Sequence, residues 1–86
     1  MASYSVLLTD SARKQLRDIR GKDRERILAR IARLADDPRP SDCEKLSLQK
    51  RYRVRQGDFH VIYEVLDTEV VVRVVRVGHR RDVYRG

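Results

Sequence analysis

Two arginines, a histidine and a short basic tail hold most of the chemistry that this chain can offer. Arg53 and Arg55 stand two apart in the alternating run Arg51-Tyr52-Arg53-Val54-Arg55-Gln56, and His60 follows just beyond Gly57-Asp58. Side chains two apart on a strand share a face, and a two-residue turn folds the next strand back beside the first. With the hairpin in register, His60 reaches the face that Arg53 and Arg55 share. The tail His79-Arg80-Arg81-Asp82-Val83-Tyr84-Arg85 leaves the end of the last predicted strand close to the same place. The expected constellation is therefore several cations, an imidazole and an exposed phenol, with no acidic residue at its centre. Such a set suits a phosphodiester. Cations neutralise the phosphate, tyrosine stacks on a base, and histidine moves a proton near neutral pH. No nucleophile triad, phosphate-binding glycine loop or carboxylate pair competes for the assignment. Cys43, His60 and His79 lack the spacing of a metal site, so neither a metal nor a cofactor is expected.

The scaffold for these groups is small. Eighty-six residues make a single domain, 1–86, and one of this size buries only about 60% of the surface its unfolded chain exposes. The net charge is +7, with 10 basic and 8 acidic residues over positions 1–44 and 10 against 5 over positions 45–86. An acidic partner, nucleic acid or an acidic protein segment, is thus expected at the second half. Cys43 is alone and cannot form an internal disulfide, and no apolar run approaches the roughly 18 residues of a membrane span. The first residues lack the pattern of a signal peptide, so the expected setting is cytoplasmic, with no membrane partner.

Residues 3–8 read as a short strand, and Thr9-Asp10-Ser11 offers side-chain oxygens to cap a helix over 10–20. Ala12, Leu16 and Ile19 form its narrow apolar face, with Gly21 closing it. A second helix over 22–36 presents Ile27, Leu28, Ile31, Leu34 and Ala35, and Pro38 and Pro40 end it. Residues 38–46 read as a loop. Strands follow over 51–56, 59–66 and 70–77, the last almost pure valine, with tight turns at Gly57-Asp58 and Asp67-Thr68. The expected class is α+β, in the order β-α-α-β-β-β, with the two helices packed on one face of an antiparallel sheet and the other face free. Tyr52 and Tyr63 fall with the valines of the core face. The segment from His79 onward, poor in apolar residues, is expected to be dispensable for folding.

Taken together, the Thr-x-x-Ala helix start at Thr9, the proline after the second helix, the run YRVRQGDFHVIYEV and the tail VGHRRDVYR resemble the RelE/ParE superfamily of toxins from type II toxin-antitoxin systems, and its RelE branch most closely. The resemblance implies a microbial-RNase-like toxin fold and an mRNA interferase, an endoribonuclease that cuts translated messenger RNA in the ribosomal A site. The substrate's own 2′-hydroxyl attacks the adjacent phosphate, without a metal. It also implies a cognate acidic antitoxin, in a complex open to higher-order assembly and to DNA binding through the antitoxin. Carried over by position, two strand lysines of the family fall on Arg53 and Arg55, an arginine of the next strand on His60, and the tail arginine and tyrosine on Arg80 and Tyr84. An arginine is a poor base because it stays charged. His60 thereby becomes the expected proton acceptor, Arg53 and Arg55 the groups that stabilise the transition state, Arg80 the partner of the leaving oxygen, and Tyr84 the group that orients a base. Lys50, Arg51, His79, Arg81 and Arg85 are expected to bind RNA. The superfamily also allows a ParE-like toxin that inhibits DNA gyrase by binding, or a degenerate toxin that only binds its antitoxin.

Overall fold

A computed structural model describes residues 3–46 and 50–83, with 82 and 83 described by backbone alone. The chain opens with strand β1 (Ser5–Leu8) and runs straight into helix α1 (Asp10–Asp18). Thr9 makes that junction. Its backbone is extended, and its Oγ1 accepts from the Ala12 amide at 3.1 Å, satisfying one of the open donors of the first turn. The same hydroxyl donates to the Val75 carbonyl at 3.3 Å, so the cap also fixes the helix to the sheet.

Helix α1 ends two residues earlier than expected, because Ile19 turns extended and packs its side chain against the core. Gly21, at φ +66°, opens helix α2 (Gly21–Arg33) rather than closing α1. Helix α2 stops short of Asp36. The amides of Ala35 and Asp36 reach only to Ala32 and Arg33, a tighter winding that leads into Pro38. Ala12, Leu16, Ile27, Ile31 and Leu34 are buried, while Leu28 faces outward.

Strand β2 (Glu44–Leu46) lies where a loop is expected. Its Glu-Lys-Leu sequence has little strand preference of its own. It forms because strand β3 (Arg51–Gln56) offers it an antiparallel edge, with Glu44 opposite Arg53 and Leu46 opposite Arg51. Gly57, at φ +62°, supplies the left-handed residue of the turn that leads into strand β4 (Phe59–Leu66). Strand β5 (Val71–His79) is longer than expected at its end and starts one residue later, and the short helix α3 (Arg80–Val83) follows it. Val70 therefore belongs to the preceding turn, where it sits at φ 57° despite its β-branch. Its carbonyl accepts from the Ser5 amide at 2.9 Å.

The strand order is β1-β5-β4-β3-β2. β1 runs parallel to β5, so the sheet is mixed rather than wholly antiparallel. A bulge sets which side chains face where. Ile62 pairs with Arg76 and Tyr63 with Val74, which leaves Val75 without an opposite residue. This extra residue puts Arg73 and Arg76, an odd number of positions apart, on one face, and keeps Val72, Val74 and Val77 buried on the other. The helices cover that second face, where the three valines join Val54, Val61, Tyr63 and Val65. The Tyr63 hydroxyl donates to the Pro38 carbonyl at 2.8 Å, and Tyr52 stacks on its ring at 5.8 Å. Arg39 donates to both carboxylate oxygens of Asp67 and lies over Tyr52, clasping the loop to the sheet end.

Candidate functional site

On the face away from the helices, the hairpin register decides the arrangement. Arg55 pairs with His60, Arg53 with Ile62 and Arg51 with Glu64, and on β5 His60 faces Gly78. Residues directly opposite on paired strands share a face, so Arg53, Arg55 and His60 lie together as expected. Gly78 carries no side chain that could shield the imidazole from that side. The Arg80 amide donates to the Asp58 carbonyl at 2.8 Å, which brings the start of α3 against the turn of the same hairpin.

The imidazole is only 1% exposed. Burial pushes its pKa down, and the guanidinium groups of Arg53, Arg55 and Arg80 push it further the same way, while Glu44 pulls it back up. The cause that dominates is thus desolvation, with the neighbouring cations second. The result is an imidazole held neutral at ordinary pH, able to accept a proton.

The expectation of a centre free of acidic groups does not hold. Glu44 Oε2 lies 2.6 Å from Arg53 Nη2, in a pair formed directly across the β2–β3 ladder. Glu64, the second acidic residue of this face, accepts from Arg51 Nε at 3.2 Å and from Arg73 Nε at 2.8 Å. Burial alone would raise the pKa of that carboxyl, but the bonds from Arg73 and Arg51 outweigh it and hold the group below its ordinary range. The Arg51–Glu64 pairing follows from the hairpin register and is legible in the sequence. Glu44 gives no such signal, since nothing local marks residues 44–46 as a strand.

Other expected site residues are spread more widely. His79 pairs with Phe59 on the helix side of the sheet, where the two rings meet edge to face at 5.7 Å. It is not brought to His60, and its Nδ1 accepts from the Arg81 amide at 3.3 Å. The segment expected to be dispensable for folding starts at His79, which is not beyond the last strand but the final residue of β5. Arg81 is exposed on α3. Lys50 lines a cavity of about 360 Å³, with Arg39, Lys45, Tyr52 and Asp67 among its other walls, away from the imidazole. Tyr84 and Arg85 lie outside the described residues. Among the described residues, no helix is long and apolar enough to cross a membrane.

A small α+β domain with a mixed five-stranded sheet, two helices on one face and two arginines sharing the other face with a buried histidine can be set beside known proteins. The family model of the ParE toxin of type II toxin-antitoxin systems matches residues 6–84, and the chain belongs to that family, within the RelE/ParE superfamily. Toxin RelG of Mycobacterium tuberculosis is 28% identical over 88 residues, which span 95% of this chain and 97% of that protein. The archaeal RelE–RelB complex from Pyrococcus horikoshii contains a chain 27% identical, with a TM-score of 0.81 over 91% of this chain and 96% of the other. The intact RelBE toxin-antitoxin complex of E. coli contains a chain with the same fold, with a TM-score of 0.80 at 23% identity over 90% of this chain and 96% of the other.

Proposed function

We propose that the protein is a ribosome-dependent endoribonuclease, the toxin of a pair whose antitoxin is an acidic, partly disordered segment laid along the basic open face. The observation that carries this reading is the alignment of Arg53, Arg55 and His60 on one face, with Arg80 held at the same end. In the reaction, the 2′-hydroxyl of the messenger gives its proton to the neutral His60 imidazole and attacks the adjacent phosphorus. The bond from phosphorus to the 5′-oxygen breaks, leaving a cyclic phosphate on one product. The departing oxygen, beside Arg80, takes a proton from a water, and the hydroxide left behind recovers the proton held on His60. Arg53 and Arg55 stabilise the extra negative charge of the transition state, and they do so strongly because the site is partly desolvated. A residue that is 1% exposed reaches the hydroxyl only when what buries it moves aside. Binding on the ribosome supplies the force for that rearrangement and the alignment that a small free enzyme lacks. Tyr84, Lys50, Arg51, His79, Arg81 and Arg85 are assigned to contacts with RNA, and the antitoxin to DNA binding by the complex in the cytoplasm.

The match to a ParE family model favours a second reading, a toxin that inhibits DNA gyrase by binding without cutting RNA. Inducing the toxin and mapping transcript ends, with and without translation, separates the two. Cuts inside translated frames that vanish when translation is blocked support the RNase. Intact messages with gyrase-linked DNA damage support the alternative and overturn the first.

A further inference from the structure

We propose that Glu44 is a positioning residue that holds the place of the substrate phosphate at Arg53, so that substrate enters by exchanging its phosphate for this carboxylate. The inference rests on the reading of Arg53 as a phosphate-binding group and adds what the resting site keeps there instead.

Three observations carry it. The first is chemical. Carboxylate and phosphate both present paired anionic oxygens to a guanidinium, and Glu44 Oε2 is 2.6 Å from Arg53 Nη2.

The second is an asymmetry of freedom. The Arg53 side chain is 16% exposed and the Glu44 side chain 65%, so the cation is held in the sheet while the carboxylate can swing into water. Glu44 sits on β2, at the edge of the sheet, where among the described residues no further strand restrains it. Ion pairs with one exposed partner are weak and exchange readily.

The third is a contrast on the same face. Glu64 is the more enclosed of the two carboxylates and accepts from both Arg51 and Arg73, so it is locked where Glu44 is not. Arg51 and Arg73 are thereby tied to a carboxylate that stays in place, whereas Arg53 is paired with one that can be displaced. The exchange also preserves the balance around His60. Glu44 on β2 opposes Arg53 and Arg55 on β3 and Arg80 on α3 in the field at the imidazole, and a phosphate in its place keeps a negative charge there.

The test uses the full chain as wild type, Glu44→Gln, Arg53→Ala and the double variant, each checked for folding by circular dichroism. The probe is a short oligodeoxyadenylate, which lacks the 2′-hydroxyl and is not cut, titrated at low salt. Glu44→Gln should bind about 1.5- to fivefold more tightly than wild type, the range a largely exposed ion pair supports. That gain should vanish when Arg53 is already alanine. Glu25→Gln, which removes a charge from the exposed side of α2, measures the effect of net charge alone. A gain no larger than that of Glu25→Gln, a gain that persists with Arg53→Ala, or no binding by any variant would overturn the proposal. Because this binding cycle needs no cleavage, an intact Arg53-dependent gain in a protein that cuts no messenger on ribosomes would sink the RNase reading and leave the exchange standing.

Discussion

Acidification through the middle of the pH 6 range should destabilise the wild-type protein and leave His60→Gln nearly unaffected over the same interval. His60 is almost fully buried, and burial, followed by Arg53, Arg55 and Arg80, holds its pKa below the ordinary value despite the opposing Glu44. In the unfolded chain the imidazole returns to about 6.5. Between that value and the lower folded one, the unfolded state binds a proton that the folded state refuses. The stability tied to neutral His60 is therefore complete above about pH 6.5, falls as the pH drops below it, and levels off beneath the folded pKa. Within the window each pH unit costs about 1.4 kcal/mol for a full proton difference. That is a large share of the roughly 5 kcal/mol at the low end for a domain of this kind. Glu64 and Asp67, both held below their ordinary pKa by arginine partners, lose their contribution only further down, as the pH falls through the carboxylate range near about 4. His79 is common to both proteins and cancels in the comparison. Urea unfolding of wild type and His60→Gln at about pH 7.5, 6.5 and 5.5 should show the wild type losing more stability than the variant, with a slope no steeper than about 1.4 kcal/mol per pH unit and equal m-values. Parallel pH dependences, or a His60 resonance that titrates at or above about 6.5, would refute the reasoning and remove the neutral base with it.

Single-turnover cleavage on programmed ribosomes should rise with pH through an apparent pKa at or below about 6.5, and a His60→Gln enzyme with an unchanged rate and profile would leave the proton to other groups. Arg80→Ala should slow cleavage by at least about tenfold while shifting antitoxin affinity by less than about 1 kcal/mol, and an undiminished rate would reduce Arg80 to a surface charge. Tyr63→Phe strands the Pro38 carbonyl and should cost about 1 kcal/mol in urea unfolding, with no loss meaning that water takes over that bond. Val70→Gly should add about 1 kcal/mol of stability, because glycine accepts the left-handed backbone at little steric cost and Val70 is exposed, and a destabilised variant would show that the valine side chain contributes more than its backbone strain costs.

Local sequence determined much of this protein. The Thr9 cap, the apolar spacing of Ala12, Leu16, Ile27 and Ile31, and the Gly57-Asp58 turn each act over a few residues, so their consequences can be read without knowing what packs where. The face shared by Arg53, Arg55 and His60 follows from the same short hairpin, because strand alternation and a two-residue turn leave one register. What the tertiary structure alone decided depends on partners far along the chain. Residues 44–46 become a strand only against the open edge of β3, and with that pairing comes the carboxylate beside Arg53. β1 runs parallel to β5, a pairing no turn signal announces, and that contact also holds Val70 in a conformation valine avoids in isolation. The bulge at Val75 sets the facing of Arg73 and Arg76, which simple alternation would have put on opposite faces. Burial of His60 belongs to the same class. Sequence gives the imidazole a face and a set of cationic neighbours, but desolvation, the larger cause of its lowered pKa, exists only once separate segments have closed over it.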